Sequence, residues 1–541
     1  MLSIDTPAPA PVWPSLSNRA PAASARMRSL PVAVLGAGPV GLAAAARLIE
    51  RDIPFVVLEA GPAVGANLLD YGHVRLFSPW QYNVDTTMAH LLSEVGWTKP
   101  AQNDLPLAGE IVEKVLQPFA QLPQVARSLH LNTRVLCVTR EGFDKVKSAG
   151  REDAPFVVRA LQSGKPIEIR ARAVIDSTGT WNTPNPLGAG GLPAIGEAEA
   201  ASQISYGIPD ILGTHRTRFE GRKTLVVGAG HSAANALLYL AELSRQTPST
   251  RMVWAVRSPS LARVFGGGAA DALPARGELG TSLRRLRDTG ALEFVAGLRA
   301  AQIVRAGNTL TVLGENSDAQ RVVVEGIDEV ICATGQRPDL SLTRELRVKL
   351  DSWLESTAAL GPLIDPNIHS CGTVRPHGHR ELAHPEPGLY TVGVKSYGRA
   401  PTFLMATGFE QVRSVVAAIA GDLESADRVE LELPETGVCG TTFGAAAESA
   451  CCGAPEPKAG PTLRPVPTTA TAGGCAASSC STPVKRPQPL AAQPSGCCGG
   501  PAESDASACC ALDEAVKSAG GSGCGCADAK PRARASTACS S

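Results

Sequence analysis

Two glycine-rich turns, each set between an apolar strand and an apolar helix, constrain this 541-residue chain more than any other feature. The first, Gly36-Ala37-Gly38-Pro39-Val40-Gly41, follows Val32-Ala33-Val34-Leu35. The second, Gly228-Ala229-Gly230-His231-Ser232-Ala233, follows Thr224-Leu225-Val226-Val227, about 190 residues later. A single G-x-G-x-x-G turn is weak evidence, because such turns are common. Two of them, each followed by a second strand with a suitable residue at its end, predict two nucleotide sites on one chain.

In the first unit the helix is expected over roughly residues 39–51, with Leu42, Ala45, Ala46 and Leu48 on its apolar face. Gly36 permits the tight turn, Gly38 lets the backbone approach a pyrophosphate, and Gly41 lets helix and strand pack closely. The helix opens at Pro39 and Val40. The next strand, Phe55-Val56-Val57-Leu58, ends at Glu59, where a carboxylate accepts hydrogen bonds from both ribose hydroxyls. Glu59 alone fits NAD or the ADP half of FAD. Two later segments favour FAD: the strand Ala173–Asp176 running into Ser177-Thr178-Gly179, and Gly388–Gly393, followed by a helix containing Ala406-Thr407-Gly408-Phe409-Glu410. The N-terminal end of that helix can stabilise negative charge on a reduced flavin.

The second unit repeats the turn with Gly228 and Gly230, carries Ser232 at its helix start, and has Ala233 in the third position. A helix is expected over Ala234 to Leu243. The following strand, Met252–Val256, ends in Arg257 where the first unit has Glu59. An arginine there pairs with a 2′-phosphate that a carboxylate would repel, so NADPH is favoured over NADH.

Fifty-one basic and 51 acidic residues balance, so no net field points to nucleic acid or an anionic membrane. The longest apolar stretch, Val32 to Leu48, contains the first glycine turn and reads as strand and helix, not a membrane span. Residues 1–29 are Pro/Ala/Ser-rich without the apolar run of a secretory signal, and a cytoplasmic location is expected. Twelve of the 15 cysteines fall between Cys439 and Cys539, in a stretch whose one aromatic residue is Phe443. Such a composition cannot offset chain entropy, so a disordered tail is expected.

The order of these motifs resembles the two-dinucleotide-binding-domain flavoproteins, which include flavin-containing monooxygenases and thioredoxin-reductase-like enzymes. The resemblance covers about residues 30–425 and implies an α/β fold of two Rossmann-like domains, the NADPH domain inserted into a discontinuous FAD domain. The implied boundaries are a disordered segment at 1–29, FAD-binding parts at 30–190 and 341–428, an NAD(P)H-binding domain at 191–340, and a disordered Cys-rich tail at 429–541. The segment Asp328–Pro338, containing Thr334-Gly335, resembles the strand and turn by which the family leaves the NADPH domain. His384-Pro385-Glu386-Pro387-Gly388-Leu389-Tyr390 is similar to the monooxygenase branch. Val74–Trp80, Gly230–Asn235 and the closing cysteine elements are similar to flavin-binding monooxygenases that accompany arsenic-resistance genes.

The chain also departs from that pattern. Val64-Gly65-Ala66-Asn67 stands where a Gly-Gly-x-Trp turn is expected, and Val394 stands where many relatives place a flavin-binding aspartate. Residues 1–430 contain no Cys-x-x-Cys pair, and Cys332 reads as a buried core residue. Arg75–Asn83 is either a pocket wall or a packed loop. His369, Cys371, His377, His379 and His384 do not have the spacing of a tight zinc site. In the tail, Cys509, Cys510, Cys524 and Cys526, joined by a short helix at Ala511–Lys517, form a candidate soft-metal or arsenic site.

Three functions remain open. The leading one is an NADPH-reduced FAD monooxygenase using molecular oxygen on a small soft nucleophile, with no catalytic side chain singled out. The second passes electrons from flavin through the tail thiols to a disulfide or thiol-bound metal(loid). The third is a soft-metal-binding protein with a redox-switch flavoprotein body.

Overall fold

In a computed structural model of the chain, the described residues are 27–258, 265, 273–369, 374–401 and 403–431. Most of the segment 1–29, Cys371 and the tail thiols Cys509, Cys510, Cys524 and Cys526 lie outside them.

The described strands, in chain order, are β1 (Val32–Leu35), β2 (Phe55–Leu58), β3 (Leu129–His130), β4 (Thr133–Arg140), β5 (Phe156–Gln162), β6 (Lys165–Ala171), β7 (Ala173–Asp176) and β8 (Ile204–Tyr206). They continue with β9 (Lys223–Val227), β10 (Arg251–Val256), β11 (Glu293–Ala296), β12 (Arg299–Ala306), β13 (Thr309–Glu315), β14 (Arg321–Ile327), β15 (Glu329–Cys332) and β16 (Leu389–Thr391). Two five-stranded parallel sheets result, ordered β16-β7-β1-β2-β3 and β11-β10-β9-β15-β8. Antiparallel three-stranded sheets β4-β5-β6 and β12-β13-β14 accompany them.

The strand chemistry accounts for this layout. All four residues of β1 are buried, as a central parallel strand covered on both faces demands. β1 pairs with β2 on one side and β7 on the other, with Val34 opposite Val57 and Ile175. Chain crossovers therefore leave β1 in opposite directions, and the crevice beyond its C-terminal end is where such sheets take ligands. The second sheet repeats the device at β9, between β10 and β15. The first sheet receives its last strand, β16, only after the second sheet is complete.

Helix Pro39–Glu50 starts as expected and ends one residue earlier, with Gly38 as N-cap and Pro39 inside the first turn. Its small buried face, Ala43 to Ala46, packs in one core with Val412, Val415 and Val416 of helix Met405–Ala420. The helix of the second unit runs from His231 to Gln246, longer at both ends than its sequence pattern indicates, with Gly230 as N-cap setting its earlier start. No described helix is long and apolar enough to cross a membrane.

Candidate functional site: two glycine turns on one cleft

The two turns use the same backbone device. Gly36 has φ +96°, and a Cβ there would stand 2.9 Å from the Ser177 carbonyl oxygen just beyond β7. A Cβ on Gly41 would fall 2.0 Å from the Gly36 carbonyl oxygen, so helix and turn approach as closely as they do only because position 41 has no side chain. Around Gly38, by contrast, a Cβ would meet nothing within 4 Å. The middle glycine thus faces open space, where a bulky anion can approach bare backbone at a helix N-terminus.

Glu59 stands at the end of β2 beside this turn. Its Oε2 accepts from Ala37 N at 2.7 Å and its Oε1 from Gly61 N at 2.8 Å. Each oxygen keeps a lone-pair site for a further donor such as a ribose hydroxyl.

In the second turn Gly228 has φ +145°, with a Cβ placed 2.2 Å from the Ala333 carbonyl oxygen, and Gly230 is open like Gly38. Ala233 is fully buried in the second core, and its methyl fits where the first turn requires glycine. Arg257, immediately after β10, is exposed and donates from Nη1 to Ala189 O at 3.2 Å.

Both turns open on one cleft of about 1930 Å³. Single-ligand pockets are typically about 300–1,000 Å³, so this cleft has the capacity for two large ligands. Among the sequence candidates, Gly36, Gly38, Pro39, Val40, Glu59, Thr178, Gly179, Gly393, Gly228, Gly230, Ser232, Arg257, Thr334 and Gly335 line it. Gly41 and Ala233 lie behind the lining. Thr407 and Gly408 do not reach the cleft surface. A Cβ on Gly408 would stand 2.5 Å from Val40 Cγ2, so the bare backbone there lets the helix pack closely, and Leu404 and Met405 line the cleft. Arg75, Leu76, Phe77, Ser78 and Asn83 line the cleft, which favours the pocket-wall reading of that segment. Phe77 meets His231 of the second turn with ring centroids 4.9 Å apart.

Sequence reasoning missed the buried polar network beneath Gly179 and Gly393. Lys395 Nζ pairs with Asp176 Oδ2 at 2.7 Å and donates to Thr178 Oγ1 at 2.9 Å. Thr178 Oγ1 in turn donates to Asp176 Oδ1 at 2.7 Å. Gln411 Oε1 accepts from Gly393 N at 2.7 Å, and its amide nitrogen lies 2.8 Å from His377 Nε2. These contacts fix both backbone turns by buried, satisfied polar groups. A lysine three positions after Thr391-Val392 was readable, but nothing in the sequence paired it with Asp176.

The histidine group disperses. His377 faces Gln411, His379 faces Asp427 and His369 faces Pro362 O, while His384 Nε2 lies 2.9 Å from Thr391 Oγ1. Burial lowers the His377 pKa, and it pushes His384 down to about 4 against the opposing pull of Asp176. Among the described residues no three candidate ligands converge on a metal position. Glu386 of the His-Pro-Glu-Pro segment is buried between Arg140 and Arg151, each at 2.8 Å. Cys332 is buried with its thiol pushed up to about 11, first by desolvation, and Sγ lies 3.2 Å from Thr334 Oγ1. Among the described residues Cys137 and Cys332 are both free thiols.

The sequence profile of one family, described as pyridine nucleotide-disulphide oxidoreductase, matches residues 33–359. No curated protein sequence matches the chain. Among solved structures, the fold is similar to the bacillithiol disulfide reductase of Bacillus cereus, at 18% identity and TM-score 0.53, covering 72% of this chain and 99% of that one. The corresponding enzyme of Staphylococcus aureus gives 12% identity and TM-score 0.51, covering 72% and 98%. The FAD-bound cadaverine monooxygenase of desferrioxamine biosynthesis from Erwinia amylovora gives 14% and 0.51, covering 77% and 99%. With two parallel sheets, two glycine turns on a shared cleft and a profile match over more than half its length, this chain belongs to the pyridine nucleotide-disulphide oxidoreductase family of oxidoreductases.

Proposed function

We propose that the chain is an FAD-dependent, NADPH-reduced monooxygenase acting on a small soft nucleophile. The observation that carries this reading is the single cleft shared by both glycine turns, with Glu59 at one strand end and Arg257 at the other. FAD would lie along Gly36, Gly38, Pro39, Val40 and Gly41, with Glu59 on the ribose and Thr178, Gly179 and Gly393 near the ring. NADPH would lie along Gly228, Gly230, Ser232 and Ala233, with Arg257 on the 2′-phosphate and Thr334-Gly335 beside it. The open space at Gly38 and Gly230 and the free lone pairs of Glu59 fit those groups. When bound, the flavin supplies hydride acceptance and oxygen chemistry.

The protein's part is orientation. Asp176 and Lys395 hold Thr178, Gln411 holds Gly393, and Phe77 closes the wall against His231. Overall, a substrate S, O₂, NADPH and a proton yield SO, NADP⁺ and water. The resemblance to enzymes of arsenic-resistance clusters extends the proposal to a trivalent arsenic substrate in the cytoplasm, with Cys509, Cys510, Cys524 and Cys526 capturing the soft element.

A second reading, electron transfer from flavin to tail thiols and on to a disulfide, draws on the twelve cysteines after residue 430. Full-length protein, NADPH and ¹⁸O₂ separate the two with arsenite and a small disulfide as alternative substrates. One labelled oxygen in the product supports the monooxygenase. Oxygen-independent disulfide reduction supports the relay, and NADPH consumption that yields only hydrogen peroxide contradicts both.

A further inference from the structure

Three arginines surround one loop at the edge of the cleft, Gly188–Gly191. Arg257 Nη1 donates to Ala189 O at 3.2 Å. Arg337 donates from Nη2 to Gly191 O and from Nε to Asn185 Oδ1, each at 3.0 Å. Arg399 Nη2 lies 3.8 Å from the position a Cβ on Gly191 would take. Arg257, Arg399 and the loop all line the cleft.

Arg257 follows β10 of the second sheet, whereas Arg399 belongs to the segment between β16 of the first sheet and helix Met405–Ala420. Among the described residues none of the three arginines forms an ion pair with a carboxylate, and the Arg399 guanidinium has no hydrogen-bond partner. A guanidinium cannot shed its charge in a protein. Arg257 and Arg399 bring two such charges to one loop on the cleft, where an anionic ligand would offset them. Room for it is present, since a Cβ on Gly190 would meet nothing within 4 Å. The 16-residue helix His231–Gln246 presents its N-terminus to the same cleft without a side-chain cap.

We propose that Arg399 and Arg257 close from opposite halves of the molecule on the phosphates of one nicotinamide coenzyme, with Arg337 holding the loop between them. Arg399 lies outside the second glycine unit, so coenzyme binding draws on both halves and ties them together at this edge. The inference rests on the reading of Gly228–Arg257 as an NADPH site.

The test is equilibrium titration of full-length, FAD-loaded protein with NADP⁺ and with NAD⁺, in the wild type, Arg399→Gln, Arg257→Gln and the double variant. FAD content and melting temperature are measured on each. Arg399→Gln is expected to weaken NADP⁺ binding roughly tenfold or more, as loss of a charged hydrogen-bond donor does. The double variant is expected to bind NADP⁺ more weakly than either single variant, because each cation contributes to holding the same coenzyme. Loss confined to NADP⁺ assigns Arg399 to the 2′-phosphate, and equal loss for both coenzymes assigns it to the pyrophosphate; each supports the shared seat. Arg399→Lys, which keeps the charge, is expected to bind more tightly than Arg399→Gln. Wild-type affinity in Arg399→Gln, or a double variant no weaker than Arg257→Gln alone, would overturn the proposal. Failure of the wild type to bind either coenzyme would instead overturn the NADPH site itself.

Discussion

Around the first sheet, beside exposed pairs such as Arg159–Glu168, some charges are buried with their partners: Asp176 and Lys395 are 0% and 3% exposed, and Glu386, at 1%, sits between Arg140 and Arg151. Around the second sheet, the pairs Arg216–Glu220, Lys223–Glu293 and Arg245–Glu242 stand in or near solvent. The first half is assembled from segments far apart in the chain. Three of its buried pairs join residues 219, 246 and 235 positions apart, across the interval in which the second sheet is built. The second sheet comes from one contiguous stretch, and two of its surface pairs are only three or four residues apart. A buried pair is a poor source of net stability but a strong specifier, because separating its members leaves an uncompensated charge. Here that specificity brings β16 and the Gly393 turn back to β7.

The largest expected effect tests this contrast directly. Glu386→Gln leaves two buried guanidinium groups without their carboxylate and is expected to cost about 3–5 kcal/mol in denaturant unfolding. Glu242→Gln, on the second half, should stay within about 1 kcal/mol. Equal costs at the two sites would break the comparison.

Next in size is the first nucleotide turn. Glu59→Ala removes a carboxylate that holds both Ala37 N and Gly61 N. Charged hydrogen bonds are worth about 1.5–3 kcal/mol, so FAD retention in the purified protein should fall by roughly ten- to a hundredfold in affinity.

A third effect concerns pH. His384 is neutral in the fold down to about pH 4 but titrates near 6.5 when unfolded. Above pH 6.5 both states are neutral and stability is flat with respect to this group. Below it the unfolded chain binds a proton that the fold refuses, so stability falls as pH drops toward 4. Between pH 7 and 5 the loss is about 2 kcal/mol, read from unfolding midpoints at the two pH values. His384→Gln should reduce that slope, leaving the part that buried His377 contributes with the same sign, and an unchanged slope would place the titration elsewhere.

The smallest effect sharpens the difference between the two strand ends. Arg257→Gln should weaken NADPH about tenfold, or about 1.4 kcal/mol, while leaving NADH nearly unchanged. Comparing KM for the two coenzymes checks it.

Both glycine turns, the strands that precede them and the residues at the ends of β2 and β10 were legible because they depend on local pattern. An apolar tetrapeptide followed by a glycine turn specifies its backbone with little help from the rest of the chain. Lys395 on Asp176, Gln411 on Gly393 and Glu386 between two arginines were not legible, since each pairing spans the fold or depends on a side chain's exact reach. Nothing local in the sequence shows how closely Gly408 approaches Val40, where a Cβ would stand 2.5 Å from Cγ2. The arginine ring around Gly188–Gly191 escaped for the same reason: its members are 257, 337 and 399 in sequence and meet only in space.

In the proposed arrangement one cleft holds FAD and NADPH together, one on each turn. Anaerobic titration of the full-length, FAD-loaded protein with NADPH, following flavin absorbance, tests it most directly. Bleaching of the oxidised flavin band is expected to be complete at one NADPH per FAD, with NADH needing a higher concentration. A flavin left oxidised by excess NADPH, or reduced equally well by NADH and NADPH, would contradict it.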